Sequence, residues 1–293
     1  LNRNLEIRKV LYITLILNIA VSGAKIIYGY LTGSVGITSD GFHSVFDGVS
    51  NVLGLIGVRI ASRPPDRHHP YGHRKYETVF TIFIGALMAL TSIEIFKNVY
   101  ASFAGHKEAV VTAESFAVML ITLGVNIFVS SYEHRMGKRL SSEFLVADSK
   151  HTRSDIYVTV GVMVSLALMS LGLPEADPVA GIVVGLVIAR TGLKIIREST
   201  ETLVDRSYAD TSAIERIVAG VAGVNGCHET RARGAGDNIF VDIHVVVDPA
   251  LSVEDAHLIA DKVEEAIKQG MPEVVDVVVH IEPGEKIPCG PER

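Results

Sequence analysis

The chain has 293 residues, of which 48% are hydrophobic and only 20% charged, a balance too apolar for a water-soluble domain of this size and one that makes lipid the solvent for part of it. A formal net charge of -6 leaves no basic footprint with which to neutralise phosphates, so nucleic-acid binding is excluded as a function class. The two cysteines, Cys227 and Cys289, form neither a CxxC pair nor a disulfide framework and read as thiols of a reducing compartment.

In chain order, apolar runs of about twenty residues, the length that crosses a hydrocarbon core, occur at about Val10 to Leu31, Val35 to Ile60, Glu77 to Phe103, Thr112 to Glu133, Phe144 to Leu171 and Asp177 to Ile196. They predict an all-α membrane domain of six spans, residues 1–206. The first run is too long for the core of a cleavable signal and is followed by further spans, so it reads as a membrane helix. Basic residues gather in alternate connections: Arg3, Arg8 and Lys9, then Arg63, Arg67, Arg74 and Lys75, then Arg135, Lys138 and Arg139, whereas the opposite connections carry only Lys107. The positive-inside rule puts the basic loops, and both termini, in the cytoplasm.

From residue 207 to residue 293 the pattern changes to short amphipathic segments of mixed charge, which predicts a cytoplasmic domain that folds in water. Thr211 to Val221 has helical spacing, Cys227 to Arg233 and Ile239 to Val247 read as strands, Val253 to Lys268 is a helix behind a Ser252 cap, and Val274 to Ile281 is a strand. The order αββαβ predicts an α+β fold, a three-stranded sheet with both helices on one face. Its core is modest, so dimerisation or bound metal would help to hold it.

An ionisable side chain inside a bilayer is costly unless paired, hydrated or neutralised, which makes each one a functional candidate. Two spans carry the same pattern, His-x-x-x-Asp: His43 with Asp47 in the second, and His151 with Asp155 in the fifth. Residues four apart share one helix face about 6 Å apart along the axis. Asp47 and Asp155 lie roughly 16 Å from opposite faces of a core about 30 Å thick, so all four side chains can meet near its centre. Two imidazole nitrogens and two carboxylates suit tetrahedral Zn2+, where an all-oxygen set would suit Mg2+ or Mn2+. Each pair could instead neutralise itself within its own helix, but repetition at matched depth favours a shared ion. Lys150 and Arg153 beside the second copy predict a wet cavity open to the cytoplasm. Lys25 is expected to snorkel outward, and Glu94 and Asn126 to bond between helices.

The loop Asp66-Arg67-His68-His69-Pro70-Tyr71-Gly72-His73 spaces Asp66, His69 and His73 so that they can converge on a metal, although loop histidines are commonly just solvated. In the tail, His228, His244, His257 and His280, with Glu282, allow a shared metal site or an interface between two tails. The chain has no HExxH, and four protein ligands leave no seat for a catalytic water, so no enzymatic activity is expected. The main rival to transport is a membrane-anchored metal sensor.

With these features in order, the sequence resembles the cation diffusion facilitator family of metal transporters, in the manner of a zinc-type bacterial member. Gly33-Ser34-Val35 ahead of the second-span motif, Pro70-Tyr71-Gly72-His73-Arg74-Lys75 and Glu254-Asp255-Ala256-His257 fall in the family's order, and the match covers almost the whole chain. The resemblance implies a homodimer in a bacterial inner membrane that exports divalent cations in exchange for protons, Zn2+ first, with Fe2+, Mn2+ or Co2+ as alternative cargoes. It also implies a metallochaperone-like cytoplasmic domain that responds to zinc. Carried over by position, the transport site is His43, Asp47, His151 and Asp155, the loop site is Asp66, His69 and His73, and the tail site draws on His228, His244, His257, His280 and Glu282. Lys75 and Asp205 match a charged interlock. Many bacterial relatives carry Asp where this chain has His43, and the imidazole here resembles the zinc-selective branch.

Overall fold

The computed structural model describes the backbone of residues 2–32, 35–103, 113–170, 176–207 and 209–290. Within those segments it describes the side chains other than those of residues 2, 29, 32, 35–47, 98, 101–103, 113–116, 162, 165–170, 176–177 and 180. The chain divides into two compact units, Leu1–Thr200 and Glu201–Arg293.

The first unit is built from α1 (Asn2–Thr32), α2 (Val35–Ala61), α3 (Lys75–Phe103), α4 (Ala113–Arg139), α5 (Glu143–Ser170) and most of α6 (Ala176–Leu203). Each expected span falls on one of these helices to within a residue. Among the described residues, Arg3–Tyr28 and Lys75–Lys97 are long and apolar enough to cross a membrane by length and composition alone. Large aliphatics such as Ile16, Ile27, Ile121 and Leu186 are exposed, a surface suited to lipid and ill suited to water. Small residues let the helices approach closely, as membrane packing requires. A Cβ added at Gly54 of α2 would lie 2.3 Å from the Phe144 ring of α5, and one at Gly85 of α3 would lie 3.0 Å from the carbonyl oxygen of Gly192 on α6. At the start of α1, Arg3 donates to the carbonyls of Leu140 (2.7 Å) and Ser141 (2.9 Å) and pairs with Glu77 (3.2 Å), tying the α4–α5 turn to α3.

Lys25 does not snorkel: it is 5% exposed. The reason is its helical phase, because Thr14, Asn18, Ser22 and Lys25 form one polar stripe along α1, and Thr14 and Ser22 are buried too. Glu94, expected to bond between helices, is exposed on α3.

The second unit holds α7 (Thr211–Ala219), β1 (Gly226–Ala235), β2 (Asn238–Val247), α8 (Val253–Gly270) and β3 (Val274–Pro283). The sheet order is β1-β2-β3, with β1 antiparallel and β3 parallel to β2. Asp210 caps α7 by accepting from the amide of Ala213, and Ser252 caps α8 by accepting from that of Asp255. Alternation along β2 sends Ile239, Val241, Ile243 and Val245 into a core shared with Ile214 and Val218 of α7 and Ile259, Val263 and Ile267 of α8. The cysteines are not free thiols: Cys227 and Cys289 are joined in a disulfide across 62 residues. Cys227, the second residue of β1, faces inward, and the segment after β3 returns beside it, with Ile287 N–H donating to the Asn225 carbonyl (2.9 Å) and Gly290 N–H to that of Cys227 (3.0 Å).

Candidate metal centres

The loop between α2 and α3 folds around one carboxylate. Asp66 Oδ1 accepts from the amides of His68 (2.9 Å) and His69 (2.8 Å), and these amides, that of His69 foremost, hold its carboxyl below its usual range. Pro70 opens a turn closed by Gly72 N–H to the His69 carbonyl at 2.9 Å, and Gly72, at φ 84°, takes the left-handed conformation that brings the chain back. The turn sets the His69 and His73 rings 4.3 Å apart. One ligand atom from each of Asp66, His69 and His73 then lies within 4.8 Å of the others, a spacing that could hold a metal ion. The Nδ1 of His73 is buried without a hydrogen-bond partner. His68 contributes its amide to Asp66 and stays outside the triad.

In the second unit the strand register does the assembling. His228 of β1 pairs across the sheet with His244 of β2, which pairs with His280 of β3. The three imidazoles form a row on the face away from the helices, with centroid spacings of 5.3 and 4.6 Å. Glu282, two residues beyond His280 and so on the same face, meets His244 Nδ1 at 2.8 Å and His228 Nε2 at 3.1 Å. Hydrogen bonding from His244, then His228, holds the Glu282 carboxyl below its usual range. His228, His244 and Glu282 keep ligand atoms within 4.8 Å of one another. His280 stands beside them, its Nε2 3.6 Å from Glu282, whereas His257 is on α8, 75% exposed and facing Asp261. A bulge in β1 between His228 and Arg231, where Glu229 adopts φ 48°, swings a further carboxylate to 3.7 Å from His244.

Within the helical unit, His43 and Asp47 lie on α2 but outside the described side chains. His151 is 7% exposed on α5, with Nδ1 lacking a hydrogen-bond partner, and Asp155 is half-buried one turn on. The α2 and α5 helices are joined one turn away from both motifs, where Asn51 Nδ2 donates to Asp148 Oδ2 at 3.1 Å. Sequence reasoning passed over Asp148, and it read Glu133 only as the end of a span. The available signal was Asp148-x-x-His151, an acid one turn before a candidate ligand on the same face.

The family model "Cation efflux transmembrane domain" matches residues 11–204, and "Cation efflux protein, cytoplasmic domain" matches residues 207–284. The chain belongs to the cation efflux family. It is 34% identical to an uncharacterized transporter of Methanocaldococcus jannaschii over 94% of this chain and 98% of that one. It is 30% identical to the manganese efflux system protein MneS of Bacillus subtilis over 92% of each. A solved structure of the MamM C-terminal domain matches 25% of this chain and 92% of that one at 32% identity, with a TM-score of 0.24. As a cation efflux protein the chain is an integral membrane transporter of divalent metal ions with a dimer-forming cytoplasmic domain.

Proposed function

We propose that this cation efflux protein is a proton-coupled antiporter that carries Zn2+ out of the cytoplasm through His43, Asp47, His151 and Asp155. The observation that carries this reading is the Asn51–Asp148 hydrogen bond, which holds α2 and α5 together one turn from both His-x-x-x-Asp motifs. Zn2+ enters from the cytoplasm and displaces protons from the two imidazoles. It leaves on the far side when the rearranged site is protonated again, because metal and proton compete for the same lone pairs. The two carboxylates offset the charge of a dehydrated dication in a low dielectric. Both termini face the cytoplasm of a bacterial inner membrane. The Asp66, His69 and His73 triad and the His228, His244 and Glu282 triad bind metal on the cytoplasmic side, the second making the dimeric tail responsive to zinc.

The name of MneS supports a second cargo reading, Mn2+, whereas the two nitrogen donors favour Zn2+ over a hard ion. Flux of each ion into sealed proteoliposomes decides between them. Zn2+ should move faster than Mn2+, and His43→Asp should narrow the gap. Faster Mn2+ movement by the unsubstituted protein would overturn the choice of zinc. Removal of residues 207–293 should lower flux without abolishing it, whereas an anchored sensor shows no flux with or without its tail.

A further inference from the structure

We propose that Glu133 of α4 and Asp148 of α5 form a second, oxygen-lined divalent-cation site inside the membrane domain, one helical turn from the His151 and Asp155 motif. Its use as a way station to the transport site rests on the antiport reading, but cation binding there does not.

Both carboxylates are sealed from solvent, Glu133 at 0% and Asp148 at 1% exposure. Among the described residues no lysine or arginine forms an ion pair with either of them. Neutral donors satisfy one oxygen of each. Asn51 Nδ2 donates to Asp148 Oδ2 at 3.1 Å, and Thr152 Oγ1 lies 3.5 Å from Glu133 Oε2. Asn51 is itself fixed, donating to Thr14 Oγ1 at 3.0 Å and accepting from Asn18 Nδ2 at 2.9 Å. The second oxygen of each acid, Asp148 Oδ1 and Glu133 Oε1, is buried without a hydrogen-bond partner, and so is Nδ1 of His151 three residues along α5. Thr152 Oγ1, beside Glu133, also donates to the Asp148 carbonyl at 3.2 Å, so one residue touches both acids.

Two buried acids held by neutral donors, each with an idle oxygen, need a positive charge that, among the described residues, no lysine or arginine supplies. A cation bound between those oxygens supplies it. The atoms free to face it are carboxylate oxygens with the Thr152 hydroxyl beside them, a set that suits a hard divalent ion such as Mn2+. Asn51 follows Asp47 by four residues and Asp148 precedes His151 by three. The pair therefore lies toward the C-terminal end of α2 and the N-terminal end of α5. With both termini in the cytoplasm, that is the side from which the cargo enters.

The test counts Mn2+ bound to the full chain in detergent by electron paramagnetic resonance, in a background carrying His73→Ala, His244→Ala and Asp155→Ala to remove the other three sites. One Mn2+ per chain should remain, and adding Glu133→Gln with Asp148→Asn should abolish it. The single change Glu133→Gln, should the double change not fold, should weaken Mn2+ binding at least tenfold and remove the rise in melting temperature that Mn2+ confers. No bound Mn2+ in the background, or binding that the amide variants leave unchanged, overturns the site and means that the acids are neutralised by protons instead. The background already lacks Asp155, so this outcome is independent of whether the unsubstituted protein transports zinc.

Discussion

Asn51 donates to Asp148 across the α2–α5 interface at 3.1 Å, one turn from Asp47 on α2 and one turn from His151 on α5. This amide, with the close approach of Gly54 to Phe144, joins the two helices that carry the candidate transport ligands. Asn51→Ala leaves Asp148, 1% exposed, without that donor, at a cost of about 1–3 kcal/mol. The detergent-solubilised variant should melt at a lower temperature and carry metal more slowly. An unchanged melting temperature together with unchanged flux would show that the contact does not organise the interface.

In the tail, Glu282 accepts from two histidines and is held below its usual range by them. A carboxyl depressed in the folded state contributes stability above its unfolded pKa and loses it as the pH falls through the lower folded value. The contribution of Glu282 should be complete at neutral pH and fade below about pH 4, near where an ordinary glutamate titrates. Hydrogen exchange of the sheet amides in the metal-free full chain should therefore be faster in Glu282→Gln than in the parent at neutral pH, with the two converging in acid. A gap that widens on acidification would contradict the assignment.

The Cys227–Cys289 bond closes a loop of 62 residues and pins the segment after β3 against β1. Loops of that length lose about 2–4 kcal/mol of stability when opened. Cys289→Ser should weaken protection of the sheet under oxidising conditions, and adding reductant to the parent protein should erase the difference. Equal protection of parent and variant without reductant would show that the bridge does not hold the domain.

At Gly85 the neighbour in the way is backbone, the Gly192 carbonyl, together with Ile196 Cγ1 at 2.7 Å from the position of an added Cβ. Gly85→Ala should force α3 and α6 apart and cost about 1–3 kcal/mol, read as a lower melting temperature of the detergent-solubilised chain. An unchanged melting point would mean that this approach is not tight.

Much of the architecture was legible because lipid imposes a length: a run of about twenty apolar residues has few ways to satisfy its backbone other than as a membrane helix. The loop triad was legible for a similar reason, since Asp66, His69 and His73 are close in sequence and Pro70 and Gly72 announce the turn. The tail triad was only partly legible. Five residues were candidates, but the register that pairs His228 with His244 and His244 with His280 decides which imidazoles meet Glu282, and it depends on a bulge at Glu229 that local sequence does not reveal. His257 points elsewhere because α8 uses its other face for the core. The disulfide and the Glu133–Asp148 pair were hidden for one reason, separation along the chain: each needs a tertiary fold to bring its partners together.

The proposed path of the metal across the membrane runs through the histidines and aspartates of α2 and α5. The most direct measurement is zinc-dependent proton flux in sealed proteoliposomes under a pH gradient, comparing the unsubstituted chain with Asp155→Ala. Zinc should drive proton movement in the first and none in the second. Normal flux in the variant would contradict the assigned site, and no zinc-dependent flux from the folded unsubstituted protein would contradict zinc antiport itself.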